Sequence, residues 1–450
     1  MLHALLVLWF LRLFKPEWLV AFYVPALGPL KSIPTVILYG ILAYMAIFKT
    51  STIRVDWPFT IYLLCVAVST IFAENTGLGR KGFQGVFDNF LFFAVNMSLL
   101  SQKENMRALD TILTMYVLSF VVYGIVGITH KGIVPYHVYL DDEDFFGPFM
   151  DIGVAVSLIA AYQTAKPNRF YLMTGVISIV GVIASFARGA FLSFCATGLY
   201  IWWRSANRIK NAIVLLVAAV FTVSVTFVLF PENAYWKEMG TIGTSLQDEK
   251  SEGRHFLIKK GFEIFALYPV FGAGPLNYGF MIPKITSEAE AQTRGMHAAQ
   301  FSTRVAHNIY VQILAELGTV GSIAFTGLIL VFWFRSLRIR RFYEQYVSKD
   351  GMDETDTSRQ EQWRKMLMFG FAFEAAMVGY ILNGIFYPIL FCPWFYDLLI
   401  LNALIFRYLY MESRELSLLT QRAVRVPRWK WSVHDHRAKM KSGLVIRSCC

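Results

Sequence analysis

The feature that most constrains this chain is the run from Ile309 to Phe334, 26 residues whose only charged side chain is Glu316. About 20 apolar residues suffice for a helix to cross a bilayer, and this run is not alone. Comparable stretches are Ile33 to Phe48, Trp57 to Ala73, Val86 to Leu100, Leu109 to Ile128, Phe149 to Tyr162, Phe170 to Phe186, Gly189 to Trp203, Ala212 to Phe230, Leu367 to Leu382 and Ile389 to Tyr410. Hydrophobic residues make up 56% of the chain and charged residues 16%, against about 45–50% and 25% in a soluble domain. No aqueous core absorbs that excess, so an ordinary soluble enzyme is excluded. The pattern predicts an all-α polytopic membrane protein with about twelve transmembrane helices. Leu2 to Leu30 is ambiguous, because Lys15, Pro16 and Glu17 interrupt it and leave one broken span or a short hairpin.

Charge sets the orientation. The formal net charge is +11, and 17 of the 42 basic residues fall between Arg335 and Lys365 or between Arg414 and Arg447. By the positive-inside rule these segments are cytoplasmic, so the basic excess reports topology and not nucleic-acid binding. The loops carrying Lys49 and Arg54, Lys103 and Arg107, Lys166 and Arg169, and Arg204 with Arg208 alternate on the same side. The connection Glu74 to Gly82 then falls outside and takes Arg80 and Lys81 with it, a mild breach of the rule. The organisation expected is N-terminal transmembrane helices over 1–230, a periplasmic loop over 231–307, C-terminal transmembrane helices over 308–410 and a basic cytoplasmic tail over 411–450. A loop of roughly 75 residues is too long for a mere connector. Within it Leu257, Ile258, Phe262 and Phe265 recur at near-helical spacing and predict a surface helix ended by Pro269. The cysteines show neither a disulfide framework nor a metal-ligand spacing.

This topology gathers Arg188, Arg254 and His307 on the outer face although they lie far apart in sequence. Guanidinium groups bind phosphate oxygens bidentately and keep their charge. A neutral imidazole accepts a proton from an attacking hydroxyl, and the start of the following helix disfavours imidazolium. Two arginines beside a histidine therefore suit a diphosphate substrate. Taken singly each has a blander role: a helix-end arginine commonly snorkels, and a lone histidine is more often structural. Lys259, Lys260, Lys284, Arg294, His297 and Arg304 either line the same surface or keep the loop soluble. Asn308, Gln312 and Glu316 form one helical stripe. Glu316 would lie about 13 Å below His307, where a structural hydrogen bond to a neighbouring helix is the preferred role. The acidic run Asp141 to Asp144 reads as a hydrated outer loop. There is no Walker loop, dinucleotide fingerprint or nucleophile elbow.

Ser185-Phe-Ala-Arg-Gly-Ala, Gly253-Arg254 followed by Tyr268-Pro-Val-Phe-Gly-Ala-Gly-Pro-Leu-Asn277, and His307-Asn-Ile-Tyr-Val-Gln-Ile-Leu-Ala-Glu316-Leu-Gly-Thr-Val-Gly321 together resemble the O-antigen ligase/polymerase superfamily of bacterial membrane glycosyltransferases. The resemblance implies a GT-C-like helical fold and a metal-independent inverting transfer with no cofactor, in the bacterial inner (cytoplasmic) membrane with the active site facing the periplasm. The donor would be an undecaprenyl-diphosphate-linked glycan and the acceptor a hydroxyl of lipid A core, another glycan, a lipid or a protein. Membrane lipids would be partners and nucleic acid would not. Carried over by motif, Arg188 and Arg254 would hold the diphosphate and His307 would deprotonate or orient the acceptor. Arg304, Asn308 and Lys259, on the same outer face, are expected as further substrate contacts. Two positions depart from the family pattern: Ala187 where serine often precedes the arginine, and Asp151 where an asparagine is usual. A polymerase joining lipid-linked repeat units needs the same site. A flippase for the lipid-linked sugar would also want outer arginines, but transporters usually show repeats and broken helices, and neither is seen in the sequence.

Overall fold

The computed structural model describes residues 1–48, 52–101, 105–162, 168–204, 249–294, 297–344 and 357–423, with Ile209, Ile213, Val217, Val220 and Ser224 as isolated positions. Apart from those isolated positions the expected span Ala212 to Phe230 lies outside the described residues, as do most of the basic loop after Glu344 and the tail after Ala423.

Helices dominate, and no strand occurs among the described residues. In chain order they are α1 (Leu2–Phe14), α2 (Pro16–Tyr23), α3 (Ile33–Phe48), α4 (Trp57–Ile71), α5 (Thr76–Leu99), α6 (Met106–Thr129), α7 (Glu143–Tyr162), α8 (Arg169–Ala184) and α9 (Arg188–Arg204). After the break come α10 (Glu249–Leu267), α11 (Tyr278–Ile285), α12 (Glu288–Gln292), α13 (Ile309–Phe342), α14 (Thr357–Asn383) and α15 (Pro393–Ala423). Five stretches are long and apolar enough to cross a membrane: Pro25–Phe48, Met106–Thr129, Glu143–Ala161, Ile309–Phe342 and Gln360–Asn383. Leu2–Phe14, Trp57–Ile71 and Arg169–Ala184 are shorter apolar helices. The chain is thus a multi-pass membrane protein.

Three sequence expectations need correction. Arg80 and Lys81 do not sit in an outer loop, since α5 already begins at Thr76, capped by the Asn75 side chain accepting from Leu78 N–H at 3.1 Å. Glu143 and Asp144 open α7 instead of lying in a hydrated loop. The surface helix exists as α10, but its inward face is Phe256, Leu257, Lys260 and Ile264, while Phe262 is exposed. That face joins Tyr278, Met281, Ile282, Phe301, Val311 and Ala315 in a small second core seated on the first turns of α13. Burying each large apolar side chain there contributes about 1.5–3 kcal/mol.

α13 is not a continuous helix. Gly318 has φ 64° and ψ −165°, a conformation essentially confined to glycine, and the segment before α11 threads into the break. Ala273 and Gly274 N–H donate to the carbonyls of Ala315 and Glu316 at 2.9 Å, while Thr319 and Val320 N–H donate to Pro269 and Val270 at 2.9 and 3.2 Å. The Glu316 carboxylate accepts from Leu276 and Tyr278 N–H at 3.0 and 3.2 Å. The structural hydrogen bond expected of Glu316 is thus made to the incoming loop at Leu276 and to the first residue of α11. The expectation of unbroken helices fails here, and the break is filled by protein backbone.

At the opposite end of the bundle basic side chains meet carboxylates. Arg335 pairs with Asp56, Arg340 with Glu374, and Lys365 with Asp110 at 2.6 Å.

Candidate functional site

Three chain reversals meet at the end of the bundle that carries the second core. The first joins α8 to α9. Phe186 takes φ 52°, Ala187 N–H donates to the Ser185 hydroxyl at 3.3 Å, and α9 begins at Arg188. Gly147 of α7 packs so closely that a Cβ there would lie 2.7 Å from the Ala190 methyl and 3.3 Å from that of Ala187. Position 187 is thus buried against α7, which accounts for a small apolar side chain where the family pattern often has serine. Asp151 is buried further along α7, accepting from Asn383 Nδ2 at 3.0 Å. It braces α7 against the last residue of α14.

The second reversal is the start of α13. Asn308 caps it, its Oδ1 accepting from Tyr310 and Val311 N–H at 2.9 and 3.0 Å, while its Nδ2 donates to the Ile385 carbonyl at 3.0 Å. Ile309 N–H donates to Gly384 at 2.7 Å and the Tyr310 hydroxyl to Ile381 at 2.7 Å. The end of α14 therefore clamps the start of α13, and both ends of the Asn308 amide are engaged with protein. His307, immediately before the cap, is held at φ 46°, a left-handed conformation that is costly for a residue with a Cβ.

The third is the start of α7. Asp142 caps it, its Oδ1 accepting from Asp144 N–H at 2.7 Å, and burial raises the pKa of its carboxyl above the usual range. Asp144 then reaches across: its Oδ2 lies 3.5 Å from His307 Nδ1. That is ion-pair distance, longer than a formed hydrogen bond, and the Nδ1 atom is buried with no hydrogen-bond partner. A carboxylate facing Nδ1 selects the tautomer and leaves Nε2 as the basic atom.

Tyr387 ties the reversals together. Its hydroxyl accepts from Ala190 N–H at 3.1 Å, in the first turn of α9. Burial raises its pKa, the negative charge of Asp144 raises it further, and the positive charge of Arg254 opposes both. Asp144 and Arg254 thus act on the same hydroxyl that is bonded beside Arg188. Arg188 and Arg254 are both half-buried, at the start of α9 and near the start of α10.

The remaining basic candidates are more dispersed. Lys259 projects from α10, 69% exposed, 3.8 Å from Glu263. Lys260 is buried and bonds Glu263 at 2.8 Å and Glu290 at 2.7 Å. Burial alone would lower its pKa, but these two partners outweigh that and the net shift is upward. Lys284 pairs with Glu74 at 3.0 Å, and Arg294 lies over the Phe256 ring at 4.3 Å. His297 caps the short turn Ala298–Thr303. Arg304 is exposed between that turn and His307.

A polytopic helical membrane protein with a histidine–carboxylate pair and arginines at one end of its bundle is the class these features define. Residues 173–326 match the family model described as O-Antigen ligase, which supports the resemblance of this chain to the O-antigen ligase superfamily. That family consists of ligase- and polymerase-type membrane glycosyltransferases that work with a lipid-linked glycan donor and a glycan acceptor. No curated protein matches the chain. The matched segment contains Arg188, Arg254 and His307, whereas Asp144 and Tyr387 fall outside it.

Proposed function

We propose that this protein transfers a glycan from undecaprenyl diphosphate to an acceptor hydroxyl at the periplasmic face of the inner membrane. The observation that carries the reading is the approach of Asp144 to His307 at 3.5 Å, at the junction where Arg188 and Arg254 enter. In this reading His307 Nε2 takes the proton of the acceptor hydroxyl, and the oxygen attacks the anomeric carbon from the face opposite the diphosphate. The bond from that carbon to the diphosphate oxygen breaks, and its electron pair leaves with the diphosphate. Arg188 and Arg254 neutralise the charge that develops on the leaving group, the point at which fixed cations lower the barrier most. Asp144 steadies the imidazolium formed on His307. Inversion follows from a single displacement, and metal independence is carried into this proposal from the superfamily resemblance.

Purified protein incubated with a lipid-linked glycan in chelator tests the proposal through acceptor-dependent release of undecaprenyl diphosphate. Wild type releases it, and His307→Ala slows release by about 10²–10⁴-fold, the usual contribution of a general base. Intact glycan-diphosphate in every reaction would leave transport as the function, and release abolished by chelator would sink the metal-free step. The product distinguishes transfer to a distinct acceptor from chain extension.

A further inference from the structure

At the end of the bundle remote from His307, α13 and α15 diverge around a cavity of about 320 Å³, within the range of about 300–1,000 Å³ that holds small ligand groups. Arg338 and Arg341 of α13 line one side, and Phe342, Phe406, Leu409 and Tyr410 make much of the rest. At 1.5 Å rise per residue, Arg338 and Arg341 lie roughly 43–48 Å along α13 from Ile309, past a hydrocarbon core of about 30 Å. The cavity therefore opens at headgroup level of the far leaflet.

Its arginines differ from their neighbours. On the same helix Arg335 is paired with Asp56 and Arg340 with Glu374, but neither Arg338 nor Arg341 has a carboxylate partner among the described residues. Both are exposed, three residues apart on one helical face, so two guanidinium groups converge on one mouth. Phe406 and Leu409 give that mouth an apolar wall suited to an acyl chain.

We infer that this cavity binds the phosphate headgroup of an anionic phospholipid from the leaflet opposite the transferase site, with Arg338 and Arg341 as its ligands. Guanidinium forks match phosphate oxygens bidentately, and basic pockets between transmembrane helices on the cytoplasmic side suit anionic headgroups. A zwitterionic headgroup carries the same phosphate but adds an ammonium. Two guanidiniums repel that ammonium and no carboxylate lines the cavity to receive it. The negative charge of the headgroup, and not the phosphate alone, is thus the element selected.

The full-length protein, delipidated in detergent, is titrated with phosphatidylglycerol, with phosphatidylcholine of the same chains and with inorganic phosphate, and bound lipid is counted by native mass spectrometry. Wild type binds phosphatidylglycerol at least tenfold more tightly than phosphatidylcholine, and inorganic phosphate does not displace it at matched concentration. Arg338→Gln with Arg341→Gln abolishes the preference. Arg338→Lys with Arg341→Lys keeps much of it, which separates loss of charge from loss of fold. Arg107→Gln with Arg169→Gln removes the same charge at the same end of the bundle from exposed positions and leaves binding unchanged. Equal phosphatidylglycerol binding in the Arg338/Arg341 glutamine variant, or equal loss in the Arg107/Arg169 variant, overturns the assignment. Displacement by free phosphate would make it a site for that ion and not for a lipid.

Discussion

His307 is held at φ 46° by a cap on one side and faces Asp144 on the other, so its ring is oriented before any substrate arrives. If Asp144 orients the imidazole, Asp144→Asn lowers kcat on the order of tenfold to hundredfold, less than loss of His307 itself, and leaves KM for the donor nearly unchanged. Arg254→Gln behaves the opposite way in its first effect: with one diphosphate ligand gone, donor KM rises as well as kcat falling. Steady-state undecaprenyl diphosphate release measures both, and a KM rise without a kcat change in Asp144→Asn would assign that residue to binding. Arg188, Arg254 and His307 can be nominated from sequence because each sits in a short motif at the start of a helix or loop. The approach of Asp144 to His307 cannot, because it depends on α7 and α13 starting side by side. The available signal was local: Asp142 followed by a long apolar run is a helix cap, which would have moved Asp144 from a loop into a first turn. Asn308 shows the converse, a polar residue beside the catalytic candidate whose hydrogen-bonding groups the backbone consumes.

Helix extents followed hydropathy closely, as in α3 and α6, because a lipid-facing stretch has to be apolar along its whole length. The break in α13 did not, since hydropathy is blind to φ, and Gly318 becomes intelligible only once the Pro269 to Gly274 strap is seen inserted beside it. A methyl group at Gly318 would stand 2.4 Å from the Val270 carbonyl oxygen in addition to the unfavourable φ. Gly318→Ala should therefore destabilise the protein by about 2–4 kcal/mol and lower its melting midpoint in detergent by several degrees. Gly327, in the same helix, has nothing within 4 Å of the point where a methyl group would stand, so Gly327→Ala should be neutral or stabilise by about 0.5–1 kcal/mol. Similar losses from both would mean that general helix substitution, and not the interlock, governs the result. The interlock also gives Glu316 and the glycines around it one structural purpose: the carboxylate receives the N–H groups of Leu276 and Tyr278 from the segment that enters the break.

The molecule as a whole separates two chemistries by depth, with the candidate site, a second core and a capped layer at one end and paired arginines at the other. The capped end contains a buried titratable group that links stability to pH. His137, in the loop before α7, has its pKa lowered to about 3 by burial and, secondarily, by Lys15, and its Nδ1 accepts from Tyr139 and Leu140 N–H. An unfolded histidine binds a proton near pH 6.5 while the folded one does not, so the stability it supplies is intact above about 6.5 and falls as pH drops toward 3. Between pH 7 and 5 this costs about 2 kcal/mol. His137→Asn, which keeps an acceptor, should flatten the fall in melting midpoint over that interval, and an unchanged slope would assign it to other groups. Sidedness is the remaining whole-molecule property, and the transfer reading depends on it, because the proposed reaction has donor and acceptor meeting at the periplasmic face. With the five native cysteines replaced by alanine, Ala289→Cys, exposed in the layer over the site, should react with an impermeant maleimide in cells whose outer barrier alone is opened. Arg107→Cys, exposed at the other end, should react only after lysis. The positive-inside rule demands this order from the pairing of Arg335, Arg340 and Lys365 at the Arg107 end, and the reversed labelling would place His307 in the cytoplasm and remove the acceptor the proposed chemistry needs.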